Sequence, residues 1–304
     1  MKKLLIFLFI IVELVLCLYI STYIVYNSIF NYRCETDDSV AYKMEDFDNL
    51  ERTRYEFETK NGDTLVGYLY SNKYIEEKGL VVFAHGLGGG GQVGYIDIFD
   101  YLSSNGYFLF AYDATANDES EGAAIGGLPQ GIIDLDYAIN FTKTINEVKD
   151  LPLMLMGYSW GGFSVSNVLN YHNEVKAVVA IAGWNESENL IEYYSSDYVG
   201  PFGKLLLPFV DIHEYLKYGE YCQASAMKSF ENTDAKIMIV HSEDDETVPI
   251  KYGYDTYYGK LSEEENIIFK HYDNRGHTRI FRNENGILDT QLFEEIITLY
   301  NSCL

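Results

Sequence analysis

Cations are scarce in this chain. Its 304 residues include 22 Lys and Arg against 46 Asp and Glu, a formal net charge of −24. A surface of that sign repels phosphate backbones and anionic headgroups, which argues against nucleic acid as a partner. Cysteine is sparse too. The four, Cys17, Cys34, Cys222 and Cys303, form no C-x-x-C and have no dense spacing. They fit neither a disulfide scaffold nor a thiolate zinc site. Past the amino terminus no repeat, low-complexity tract or Pro-rich linker interrupts the chain. What the sequence has instead is apolar mass. Hydrophobic residues make up 47% and aromatics 15%, which rules out disorder and leaves room for one α/β domain of ordinary size or two small ones.

The apolar residues are unevenly spread. After Met1-Lys2-Lys3, a run extends from Leu4 to Tyr26 and is interrupted by a single charge, Glu13. About twenty such residues in a helix span a bilayer core. A central carboxylate costs roughly 2.5–3.5 kcal/mol, but the many Leu, Ile, Phe and Val, at about 0.3–0.6 kcal/mol each, outweigh it. Cleaved signal peptides have shorter apolar cores and end at a small-residue site. Here bulky residues continue to Phe30 with no A-x-A pattern, which favours an anchor over residues 1–30 above a cleaved signal or a buried helix. Lys2 and Lys3 precede the run, whereas Glu35, Asp37 and Asp38 follow it. Positive flanks stay cytoplasmic, so a single-pass protein of the cell membrane is expected, with its bulk on the extracytoplasmic side.

Residues 31–50 read as an acidic connector into one domain over 31–304. Arg54–Thr59 and Thr64–Tyr70 flank Asn61-Gly62, a hairpin signal. Apolar runs then recur at Leu80–Ala84, Tyr107–Tyr112, Leu153–Met156, Ala177–Ala182, Ile237–Val240 and Ile267–His271. Between most of them lie helix-length segments such as Pro129–Thr144 and Trp160–His172. That alternation predicts a mostly parallel sheet flanked by helices, with its chemistry at the carboxyl ends of the strands. One connection is far longer. Residues 184–234 are rich in aromatics, among them Tyr193, Tyr194, Phe202, Tyr215 and Tyr218. A segment of that length at a strand's carboxyl end is expected to be a helical cap insertion.

The chemistry concentrates in three places. Leu153–Met156 runs into Gly157-Tyr158-Ser159-Trp160-Gly161, a G-x-S-x-G between a strand and a helix. A nucleophile on so sharp a turn needs small neighbours two residues to either side, and the helix amino terminus favours negative charge beside it. Ser159 is therefore the candidate nucleophile. Of six histidines, His277 lies in a polar turn after a strand, at the sheet edge where Ser159 sits, and is the candidate base. The base needs a carboxylate. Glu243, Asp244, Asp245 and Glu246 follow Ile237–Val240 and leave that choice open. After Leu80–Ala84 comes His85-Gly86-Leu87, then Gly88–Gly91, a run long enough to leave the loop mobile. This loop lacks the P-loop lysine and the G-x-G-x-x-G spacing of a phosphate cradle.

These stretches together resemble the α/β-hydrolase superfamily across about residues 54–304, and within it the serine aminopeptidase and prolyl oligopeptidase groups. The resemblance rests on His85-Gly86-Leu87-Gly88, Gly157-Tyr158-Ser159-Trp160-Gly161, Asp245-Glu246-Thr247-Val248-Pro249 and Gly276-His277. It implies the α/β-hydrolase fold and a triad of Ser159, His277 and Asp245, because the acid of relatives falls in a D-x-x-V-P pattern. It also implies an oxyanion hole from the backbone N–H groups of Leu87 and Trp160. The segment Tyr112–Asn117 departs from relatives, which often carry Arg or His after the aspartate. The expected activity is hydrolysis of small acyl esters through an acyl-enzyme, with no cofactor or metal. A serine peptidase, or a non-catalytic binding protein on the same fold, is the alternative.

Overall fold

The Asn61-Gly62 signal marks a true hairpin. Strand β1 (Leu50–Glu58) pairs antiparallel with β2 (Thr64–Asn72), with Phe57 opposite Leu65. The computed structural model describes residues 1–200, 203–283 and 285–304, so Phe202 of the expected cap lies outside it. Each apolar run of the sequence becomes a strand: β3 (Gly79–Ala84), β4 (Tyr107–Asp113), β5 (Leu153–Tyr158), β6 (Ala177–Ile181), β7 (Lys236–Ser242) and β8 (Ile267–Tyr272). Their order across the sheet is β1-β2-β4-β3-β5-β6-β7-β8. Only β2 opposes its neighbours, and every pairing from β4 onward is parallel.

Strands β3, β5 and β6 are buried at every position. That explains their unbroken apolar runs, since a parallel strand covered on both faces has no side for polar residues. Alternate residues serve opposite layers. Val82, Leu155 and Val178 join Ile132, Leu135 and Phe163 of helices α3 (Gln130–Thr142) and α4 (Trp160–Val168). Val81, Met154 and Val179 join Phe99 and Phe293 of α2 (Ile96–Ser103) and the last helix (Thr290–Asn301). The α4 helix stops at Val168 rather than at His172. Asn170 Nδ2 turns back to the Asn167 carbonyl at 3.0 Å and to Ser229 Oγ at 2.6 Å, bonds that draw the chain out of the helix.

The long connection holds α5 (Ser187–Val199), α6 (Gly203–Tyr218) and α7 (Ala226–Glu231). A capping box between Glu186 and Asn189 starts α5. From α5, Tyr193 and Tyr194 donate to the carbonyls of Glu246 (3.1 Å) and Thr247 (2.8 Å), so the excursion braces the loop after β7.

At the amino terminus, α1 (Lys2–Phe30) is long and apolar enough to cross a membrane, a property shared with signal sequences. Its last turns bury Thr22, Tyr26 and Phe30 at helical spacing. The connector behind it is docked rather than free. Arg33 donates to the carbonyls of Asp118 (3.0 Å), Ser120 (3.1 Å) and Gly122 (2.8 Å), and Thr36 Oγ1 bonds Asp118 at 2.5 Å.

Candidate active site

Strand β5 delivers Ser159 to the carboxyl edge of the sheet, where α4 begins one residue later. Its backbone sits at φ 57°, ψ −115°, in territory that costs a non-glycine residue about 1–2 kcal/mol. The surroundings enforce this turn. Ser159 N–H donates to the Ile181 carbonyl at 2.8 Å, and its own carbonyl accepts from Phe163 at 2.9 Å, the first bond of α4. The flanking glycines are sterically required. A Cβ on Gly157 would overlap the Gly161 carbonyl, and one on Gly161 would overlap that of Ala84.

His277 reaches Ser159 from the loop after β8. Its Nε2 lies 2.9 Å from Ser159 Oγ, and its Nδ1 lies 2.7 Å from Asp245 Oδ2. The two carboxylates that the acidic run left in competition do different work. Asp245 faces the imidazole, while its Oδ1 accepts from the N–H groups of Thr247 (2.9 Å) and Val248 (2.8 Å). Asp244 instead ties down the histidine loop, accepting from Gly276 N–H at 2.7 Å and Ser242 Oγ at 2.6 Å. Burial by itself would raise the Asp245 carboxyl. Hydrogen bonds to His241 and His277, with the charge of His277 and the Val248 N–H, outweigh burial and hold it well below the usual carboxylate range.

Backbone donors crowd the other side of Ser159. The N–H groups of Trp160 and its neighbours precede the first intrahelical bond of α4 and are free of helical partners by geometry. A Cβ on Gly86 would stand only 3.5 Å from Ser159 Cβ, so the His85-Gly86-Leu87 turn comes close to the serine. His85 locks that turn. Its Nε2 accepts from Ala114 N–H at 3.0 Å, which leaves Nδ1 to donate to the Gly86 carbonyl at 2.9 Å. Burial lowers its basicity and keeps it in this neutral form. The glycine run is held at its far end, where Gly91 N–H donates to Thr36 Oγ1 (2.8 Å) and Asp118 Oδ2 (2.9 Å). Just beyond the atypical Tyr112–Asn117 stretch, the Arg33 guanidinium arrives from the connector and holds the carbonyls of Asp118, Ser120 and Gly122.

Comparison with known proteins agrees with this architecture. Residues 75–211 match the family model of the S33 serine aminopeptidases. The fold superposes on an esterase from Pyrococcus furiosus, Pf2001, with a TM-score of 0.67 at 15% identity, covering 90% of this chain and 97% of that one. It also superposes on an acylaminoacyl peptidase from Pyrococcus horikoshii, with a TM-score of 0.65 at 18% identity, covering 86% of this chain and 43% of that one. The chain has the α/β-hydrolase fold. No curated protein matches its sequence.

Two residues beside this triad-like arrangement escape sequence reading. Tyr158, an unspecified position of G-x-S-x-G, donates its hydroxyl to the His277 carbonyl at 3.1 Å. His241 closes β7 and lies 3.4 Å from Asp245 Oδ2 while donating to the Val248 carbonyl at 2.8 Å. The only cue for His241 is its place two residues before the acidic run, across Ser242. The other histidines are elsewhere. His172 is buried between Asp136 and Glu174 at 2.8 Å each, His213 lies against the rings of Tyr23 and Tyr26, and His271 is exposed on β8. Among the described residues no cluster of three or more His, Cys, Asp or Glu is arranged to hold a metal.

Proposed function

We propose that this hydrolase cleaves carboxylic esters through a Ser159–His277–Asp245 triad. The observation that carries the reading is the chain of contacts from Asp245 Oδ2 to His277 Nδ1 (2.7 Å) and from His277 Nε2 to Ser159 Oγ (2.9 Å). Asp245 holds the proton on Nδ1, which leaves Nε2 free to accept the serine proton. Ser159 Oγ then attacks the acyl carbonyl, and the resulting oxyanion is met by the N–H groups of Leu87 and Trp160. Collapse expels the alcohol, which leaves with the proton from His277, and water hydrolyses the acyl-enzyme by the same route.

A second reading, serine peptidase, is favoured by the match of residues 75–211 to the serine aminopeptidase model. Matched acyl esters and peptide amides separate the two by their kcat/KM ratio. A non-catalytic binding role would not call for a strained serine within hydrogen-bond reach of an oriented imidazole. In this proposal α1 is an uncleaved anchor, the 184–234 helices form a cap, and the domain lies outside the cytoplasm, as Lys2 and Lys3 direct.

The direct test is labelling with a fluorophosphonate probe. Wild type should label and hydrolyse short acyl esters, and Ser159→Ala should do neither while keeping its melting temperature. His277→Ala should be almost as damaging, since triad members act as a unit. Unchanged labelling of Ser159→Ala would sink the assignment.

A further inference from the structure

The outward face of α6 is apolar along its length. Leu205, Pro208, Ile212, Tyr215 and Leu216 are exposed, while Leu207, Val210, His213, Glu214 and Tyr218 are buried. At 3.6 residues per turn the five exposed positions fall within an arc of about 100°. Lys204, Asp211 and Lys217 flank that arc and do not enter it. On a chain of net charge −24, an exposed helix face whose central arc carries only apolar side chains is out of keeping with a face meant for water.

The neighbour of this face says what covers it. The last turns of α1 pack on α6: Tyr26 Oη donates to Glu214 Oε1 at 2.6 Å, and the rings of Tyr23 and Tyr26 stand 5.3 and 4.9 Å from that of His213. His213 lies one turn before Leu216, so α1 packs within a turn of the exposed face of α6, and the same turns of α1 carry exposed apolar residues of their own (Ile24, Val25, Ile29). Length sets the depth. The 29 residues of α1 rise about 43 Å, and the hydrocarbon core takes about 20 residues, or about 30 Å. Counted from Lys2 and Lys3, the span ends near Thr22, the first residue of α1 that is buried. The turns from there to Phe30 cross the headgroup layer with α6 beside them.

We propose that α6 lies in the interfacial layer of the bilayer that α1 spans, its Leu205–Leu216 face immersed in lipid, so that the domain rests cap-down on the membrane. This rests on the reading of α1 as an uncleaved anchor. An amphipathic helix with Leu and Ile facing acyl chains and a tyrosine at headgroup level is the usual form of such contact. The lipid is zwitterionic, because the acidic domain is repelled by anionic headgroups.

The test uses the full-length protein in phosphatidylcholine vesicles with brominated acyl chains, which quench nearby tryptophans. The native Trp160 and Trp184 are buried and give the background. Single reporters are Leu216→Trp and Ile212→Trp on the face, Leu14→Trp in mid-span, and Tyr74→Trp on the exposed connection between β2 and β3. Probe labelling of Ser159 checks that each variant is folded. Bromination should quench Leu14→Trp strongly and both α6 reporters at least half as much, leaving Tyr74→Trp at background. Quenching of Leu14→Trp alone would overturn the α6 proposal and leave the anchor standing. A blue-shifted but unquenched Leu216→Trp would assign the face to a second copy of the chain and overturn it too. If Leu14→Trp also escapes, the anchor reading fails and takes the proposal with it.

Discussion

His241 Nε2 stands 3.4 Å from the Asp245 oxygen that His277 Nδ1 takes at 2.7 Å. The acid therefore has two imidazoles against one oxygen, and His241 also spans to the Val248 carbonyl. We expect His241→Leu to lower kcat about tenfold with little change in KM. It should also cost roughly 1–3 kcal/mol of stability by orphaning a buried carbonyl. Steady-state kinetics and urea denaturation check both parts. A variant with wild-type kcat and midpoint would reduce His241 to packing.

Asp245→Asn and Asp244→Asn separate the two neighbouring acids. Asp245→Asn removes the partner that orients His277 and should reduce kcat by about 10³–10⁴-fold. Asp244→Asn only loosens the turn at Gly276, which its carboxylate holds at 2.7 Å, and should lose far less. Equal losses, or a greater loss at Asp244, would contradict the geometry.

Two buried carboxyls make stability depend on pH. Burial, the largest influence on each, raises Asp113 to about 7 and Asp134 to about 6, against 3.8 when unfolded. Between those values the native state binds more protons than the unfolded chain, so their contribution falls as pH rises from about 4 to about 7. Asp134→Asn should flatten that decline between about pH 4 and 6 and leave the step toward about 7, which Asp113 carries. Denaturation of Ser159→Ala and of the double variant at pH 4.5, 6 and 7.5, values chosen roughly around these shifts, reads the slope. Parallel slopes in the two proteins would refute the role of Asp134.

Truncation should reveal where the proposed anchor ends and the domain begins. Tyr26 and Phe30 are buried, and Tyr26 satisfies Glu214. Removing residues 1–20 should therefore give a domain that labels with probe and melts cooperatively. Removing 1–30 should leave Glu214 without its phenol partner and lower the melting temperature by several degrees, as a loss of about 1–3 kcal/mol does at this size. Identical melting of the two truncations would show that the α1–α6 contact contributes nothing.

Local chemistry carried most of the fold into the sequence. Buried parallel strands must be apolar throughout, so β3, β5 and β6 were visible as runs, and Asn61-Gly62 marked the hairpin. Steric demand at Ser159 makes Gly157 and Gly161 obligatory, which is why the strained turn and its candidate nucleophile were legible in five residues. Contacts between distant segments left no such trace. The residue types in Glu243–Glu246 do not tell which carboxylate meets His277, and only the D-x-x-V-P resemblance singled out Asp245; the turns after β7 and β8 decide it in space by giving Asp244 to the Gly276 N–H and Asp245 to the ring. The docking of Tyr26 on Glu214 joins positions 188 residues apart, and Arg33 reaches the carbonyls of Asp118, Ser120 and Gly122 across 85 to 89 residues. Periodicity reports which face of an element is buried; only the packed structure decides what each face is buried against.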